Sequence, residues 1–73
     1  MEDIRALFAR NLRRLRHKSG LSQEELADRA SVNRGYMSDI ENGRYNATIN
    51  VLAKLADALG IEPAELLRRA PPP

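Results

Sequence analysis

The feature that most constrains the fold is the order of start and stop signals between Leu21 and Gly43, in LSQEELADRASVNRGYMSDIENG. Ser22-x-x-Glu25 is a capping box: the hydroxyl takes the backbone N–H near Glu25 while the Glu side chain reaches back to the cap. Leu21, just ahead of it, is placed to pack on Leu26 as a hydrophobic staple. This helix turns Leu26 and Ala27 inward and runs out near Arg29–Ala30. Asn33 then caps a second helix, about residues 33–42, whose inward pair is Met37 and Ile40 at i and i+3. Asn42-Gly43 ends it. The two short helices are joined by a tight turn, and the second is polar on its outer face and bears an arginine.

Similar punctuation divides the rest of the chain, and nothing in it alternates like a strand. A first helix is predicted from about Asp3 to Ser19. Ile4, Leu7, Phe8, Leu12 and Leu15 form one apolar stripe along it, and Gly20 stops it. A loop from Arg44 to Ala47 leads to Thr48, which can cap a helix over about 49–59 with Leu52, Leu55, Ala56 and Leu59 on one face. Gly60 closes that helix. Pro63 suits the first turn of a fifth, about 63–69, carrying Leu66 and Leu67. Pro71-Pro72-Pro73 cannot continue a helix and is expected to be a frayed tail. The expected fold is all-α: a compact five-helix domain over residues 1–70, with the two-helix unit at about 22–42 and a tail at 71–73.

Size and composition narrow the function classes. At 73 residues the chain holds one small domain, of a size that buries only about 60% of its unfolded surface. With no cysteine it has neither a disulfide nor a Cys-ligated zinc to compensate, so self-association would help. Absence of Cys fits a cytoplasmic location. No apolar run reaches the roughly 18 residues of a membrane span, and the acidic start lacks the apolar segment of a signal peptide. The net charge of +2 says less than its distribution. Residues 1–20 carry Arg5, Arg10, Arg13, Arg14, Arg16 and Lys18 against Glu2 and Asp3, a balance of +4. Residues 21–31 carry Arg29 against Glu24, Glu25 and Asp28, a balance of −2. A basic first helix is either a solvated face or a phosphate-facing one. His17 stands alone, with no Cys or second His to complete a transition-metal site, and Ser22 is better explained as a cap than as a nucleophile.

LSQEELA, then R-x-Y-M-S-x-I-E-N-G, then VLAKLADALGI resembles the Xre/Cro/cI-type helix-turn-helix DNA-binding domain of phage repressors and bacterial regulators. The resemblance covers roughly residues 10–67. Size and the lack of an effector domain also resemble the stand-alone controller proteins of restriction–modification systems, a less specific match. The resemblance implies a phage-repressor-like fold whose helix at about 33–42 enters the major groove.

The outward positions of that reader helix are Asn33, Arg34, Gly35, Ser38 and Asp39. Arg34 is the best candidate for reading a base, because a guanidinium forks onto O6 and N7 of guanine; the alternative is a phosphate contact. Asn33 caps its helix, touches a base, or both, and the cap is favoured. Gly35 has no side chain to read with; it costs about 1 kcal/mol against Ala inside a helix and so wants a reason. Asp39, one turn on beside Ser38, either accepts from a cytosine amino group or pairs with Arg34 or Arg44. By family likeness, Gln23 at the first turn of its helix anchors the DNA backbone or an outer base, against a plain exposed residue. Tyr36 matches a position used on phosphate or a thymine methyl, against a half-buried ring over the core. The likeness brings the loop residues Arg44, Tyr45 and Asn46 along the sugar-phosphate backbone, and Asn42 either joins them or simply ends its helix. It also pairs Arg16 with Glu41 as a structural ion pair. Ser31 stands where the family most often has Gly; at φ > 0 it would cost on the order of 1 kcal/mol. Arg10, Arg13 and Arg14 are surface positives, of which one or two touch phosphate and the rest raise the local potential.

Ile49, Val51, Ile61, Leu66 and Leu67 are more apolar residues than one small core needs, and some of them are expected to form a two-fold dimer patch. The expected partners are double-stranded DNA and a second copy, with no cofactor, no metal, no membrane and no small-molecule substrate. The leading expectation is a sequence-specific transcriptional regulator acting as a homodimer, and not an enzyme. The competing one is a protein-interaction module, such as an antitoxin or adaptor, for which DNA is secondary.

Overall fold

A computed structural model describes residues 3–69; the start of the chain, Ala70 and the Pro71–Pro73 segment expected to fray lie outside the described residues. Four α-helices follow in order: α1 Ile4–Lys18, α2 Gln23–Ala30, α3 Arg34–Glu41 and α4 Ile49–Leu59. Each begins on the residue type that the sequence offers as a cap. Asp3 accepts from the Arg5 N–H, Asn33 from the Tyr36 N–H and Thr48 from the Val51 N–H. Ser22 and Glu25 form the complete capping box. Ending is equally uniform. After each helix one residue takes the left-handed conformation and the chain closes with paired 6→1 and 5→2 bonds, as at Val32 N to Ala27 O (2.9 Å) and Ser31 N to Asp28 O (3.2 Å). The left-handed residue is glycine after α1, α3 and α4, and Ser31 (φ 57°) after α2.

The expected fifth α-helix is instead a short 3-10 helix, Pro63–Leu67. Its bonds run i→i+3, from Glu65 N to Glu62 O and from Arg68 N to Glu65 O, and the backbone is extended by Arg68. The Asn11 side-chain amide of α1 donates to the carbonyls of Leu66 (3.0 Å) and Arg68 (2.7 Å), tying the end of this turn to the first helix.

The elements pack as a closed ring: α1 on α3, α3 on α2, α2 on α4, α4 on the 3-10 helix, and the 3-10 helix back on α1. Inside the ring sit Phe8, Leu12, Leu26, Met37, Ile40, Leu55 and Leu66. Three expectations about the apolar residues need correction. Ile4 begins α1 on the expected stripe but is exposed, because the core-facing stretch starts at Leu7. Leu15, Leu52 and Leu59 are only half-buried against the core. Leu66, expected among the residues of a dimer patch, is fully buried in the protomer, while its neighbour Leu67 points out.

Candidate nucleic-acid interface

The two-helix unit is fastened from beneath by one polar cluster. Arg16 projects from α1 to the base of α3, where Nε and Nη2 donate to the two carboxylate oxygens of Glu41, at 2.6 and 3.1 Å. Nη1 donates to the Leu21 carbonyl at 2.9 Å, tying the α1–α2 connection to the same point. Nη2 also lies 3.2 Å from His17 Nε2. Gln23, in the first turn of α2, donates its side-chain amide to Glu41 Oε1 at 2.9 Å. Glu41 is 2% exposed and Arg16 8%, so this is a buried, two-pronged pair with its remaining valences met. Removing one partner of such a pair leaves a buried charge and costs about 3–5 kcal/mol.

On this base α3 presents the polar face predicted for it. Asn33, Arg34 and Gly35 are exposed, Ser38 and Asp39 partly so, and Met37 and Ile40 are buried behind them. The alternatives left open by the sequence now separate. Asn33 Oδ1 is engaged as the cap, accepting from the Tyr36 N–H at 3.1 Å. Asp39 lies 3.7 Å from Arg44, not from Arg34. Arg34 instead lies 3.6 Å from Glu24 of α2, an exposed pair of the kind worth at most about 1 kcal/mol. Asn42 Nδ2 donates to the Ser38 carbonyl at 2.9 Å, helping to end the helix. Tyr36 is half-buried, and its hydroxyl donates to the Asn46 carbonyl at 3.3 Å. Its ring stands 6.4 Å from that of Tyr45, which is exposed in the loop beyond α3. Gly35 lies in the first turn of α3, where a Cβ would stand 3.1 Å from the capping oxygen of Asn33, so a larger residue requires that cap to shift by a few tenths of an ångström.

A family model described as a helix-turn-helix domain matches residues 7–69. The chain belongs to the helix-turn-helix domain family. It is 43% identical over 65 residues to an uncharacterized HTH-type transcriptional regulator of Sinorhizobium fredii, covering 89% of this chain and 84% of that one. It is 42% identical to the control protein C.BamHI of Bacillus amyloliquefaciens, covering 89% and 82%. The crystal structure of the restriction-modification controller protein C.AhdI from Aeromonas hydrophila superposes with a TM-score of 0.83 at 44% identity, over 85% of this chain and 94% of that one. These relatives are regulators and control proteins, and this helix-turn-helix protein is a DNA-binding transcriptional regulator.

Two partnerships in it escaped the sequence. Asn11 is fully buried and joins α1 to the chain's last described turn. Its signal was present: an amide sitting one turn from Phe8 and Leu15 inside the apolar stripe of α1. Glu24 facing Arg34 had no such signal, since their approach depends on how α2 and α3 cross. No described helix is long and apolar enough to span a membrane.

Proposed function

We propose that this regulator reads an operator as a homodimer in the cytoplasm, with α3 of each protomer in the major groove. The observation that carries the reading is the pairing of a polar, outward α3 with a buried Arg16–Glu41–Gln23 cluster that fixes its angle against α1 and α2. A reader must hold its side chains to a fraction of an ångström, and a buried charge-assisted cluster supplies that rigidity. Arg34, Ser38 and Asp39 are proposed to face base edges, with Asn33 beside them as cap. Gln23, Tyr36, Asn42, Arg44, Tyr45 and Asn46 are proposed along the sugar-phosphate backbone. Gln23 keeps one amide hydrogen beyond the one given to Glu41. Arg34 is held by the exposed carboxylate of Glu24 and Arg44 by the partly exposed one of Asp39, and a phosphate or a guanine displaces either at small cost.

The second copy is supported by where the exposed apolar side chains lie. Ile4, Ile49 and Leu67 line one groove of about 210 Å³, floored by Phe8 and Leu52. Ile49 is 85% exposed. Val51 and Ile61 lean on the core and are proposed to contribute only their outer edges. Control and controller proteins among the relatives favour a role beside a restriction–modification system.

Selection of binding sites from random duplex DNA at about 0.15 M salt tests the whole reading, because non-specific phosphate attraction is partly screened there. A two-fold symmetric site with half-sites about one helical turn, roughly 34 Å, apart is expected. Arg34→Ala is expected to lose discrimination at one or two base pairs, by about 1–3 kcal/mol each, while weak non-specific binding survives. Recovery of no motif would favour the interaction-module reading.

A further inference from the structure

We propose that Arg13 is a phosphate-contacting residue, placed by α1 at the C-terminal end of the reader helix. The inference rests on the DNA-binding reading above and extends it to an element outside the helix-turn-helix unit.

The argument is one of elimination followed by placement. Most arginines near α3 already face a carboxylate: Arg5 lies 3.4 Å from Asp3, Arg16 2.6 Å from Glu41, Arg34 3.6 Å from Glu24 and Arg44 3.7 Å from Asp39. Arg14 turns the other way, toward Asn11 Oδ1 and the carboxylate of Glu65. Arg13 has no carboxylate partner among the described residues. It sits one turn before Arg16, so the helical period aims it at the same flank of α3 that Arg16 reaches. There it lines a concavity of about 320 Å³ together with Ala6, Ala9, Asn42 and Gly43. The small side chains of Ala6 and Ala9 open the space.

Two carboxylates also border this concavity, and neither opposes an anion strongly. Glu41 is neutralised by Arg16, and Asp3 is held by the Arg5 backbone N–H and guanidinium. The carbonyls of Ser38, Asp39 and Ile40 at the end of α3 are taken as well, by Asn42 Nδ2 and by the N–H groups of Arg44 and Gly43. Arg13 is therefore an exposed cation with its charge unspent, beside Asn42 and one residue from the loop proposed to follow the backbone. When α3 lies in the major groove, the strand that passes its C-terminal end runs past Asn42, and a phosphate there is within reach of a long, mobile guanidinium.

The test is the salt dependence of binding to the selected site, measured for the full chain and for Arg13→Gln, Arg13→Lys and Arg14→Gln, with thermal unfolding of each. Loss of one phosphate contact lowers the slope of log K against log salt by about 0.9. The expected result is that Arg13→Gln loses about one unit of slope and weakens all sequences alike. Arg13→Lys keeps the slope, and Arg14→Gln leaves it unchanged. An unchanged slope for Arg13→Gln on a site that the parent protein binds specifically overturns the proposal. So does a lowered melting point without a change in slope, which would show that Arg13 serves only to cap α3. If the parent protein selects no site at all, the DNA reading itself falls and the proposal with it.

Discussion

Ser31 carries the clearest cost of any single residue in the protein. It holds φ 57° and ψ 45°, is exposed, and occupies the left-handed position that glycine fills after the other three α-helices. Without a Cβ the same backbone would be relaxed. Ser31→Gly is expected to stabilise the domain by about 1 kcal/mol, raising the melting temperature by about 4–8 °C for a domain of this size. Calorimetry checks it; an unchanged or lower Tm would mean that the extra freedom of glycine in the unfolded chain cancels the gain. This strain was legible through the resemblance, which places Gly where Ser31 stands; the residues alone did not fix the sign of φ. The Arg34–Glu24 and Arg44–Asp39 pairs were harder. The approach of each pair is set by helix crossing or loop path, neither separation in the chain is a helical one, and the sequence offered Arg44 only as one of two partners for Asp39.

At the scale of elements, the boundaries of the four α-helices could be read closely because each cap is a local bargain between neighbours. The fifth could not. Pro63 and the leucine pair describe an α-helix well, and the side chain that fastens this turn lies more than fifty residues away, out of reach of any local signal. The capping box makes α2 the element most open to a pH test. Hydrogen bonds from the Ser22 backbone N–H, and then from its side chain, hold the Glu25 carboxyl below its ordinary range. A group whose pKa is lowered by folding adds stability above its unfolded value and gives it up as pH falls through its folded one. Acidification is thus expected to loosen the start of α2, together with the similarly lowered Asp3 and Glu65. Ser22→Ala should cost about 1 kcal/mol near neutrality and less in acid, where the box is already broken. Denaturant titrations at both pH values would show it; an equal loss at each would place the cost elsewhere.

For the whole molecule, the ring of packed elements leaves its apolar surplus on one side, where Ile4, Ile49 and Leu67 meet. A charge at the most exposed of them should separate protomers without touching the core. On the proposed dimer, the parent protein is expected to sediment as two copies and Ile49→Asp as one at the same concentration, with helix content preserved and operator affinity reduced roughly tenfold or more. A variant that still sediments as a dimer would move the interface to another face. The closure of the ring by Asn11 has a consequence in time as well as in space. The bonds it makes reach across 55 and 57 positions of sequence. A ribosome emits α1 before the 3-10 turn, so Phe8 and Leu12 emerge long before Leu66 arrives to pack in the same core. Until then the nascent reader helix has capped ends but no closed core behind it. The domain closes only once Leu66 and Arg68 have been made, and a chain cut short before residue 66 stays open, not merely weaker as a regulator.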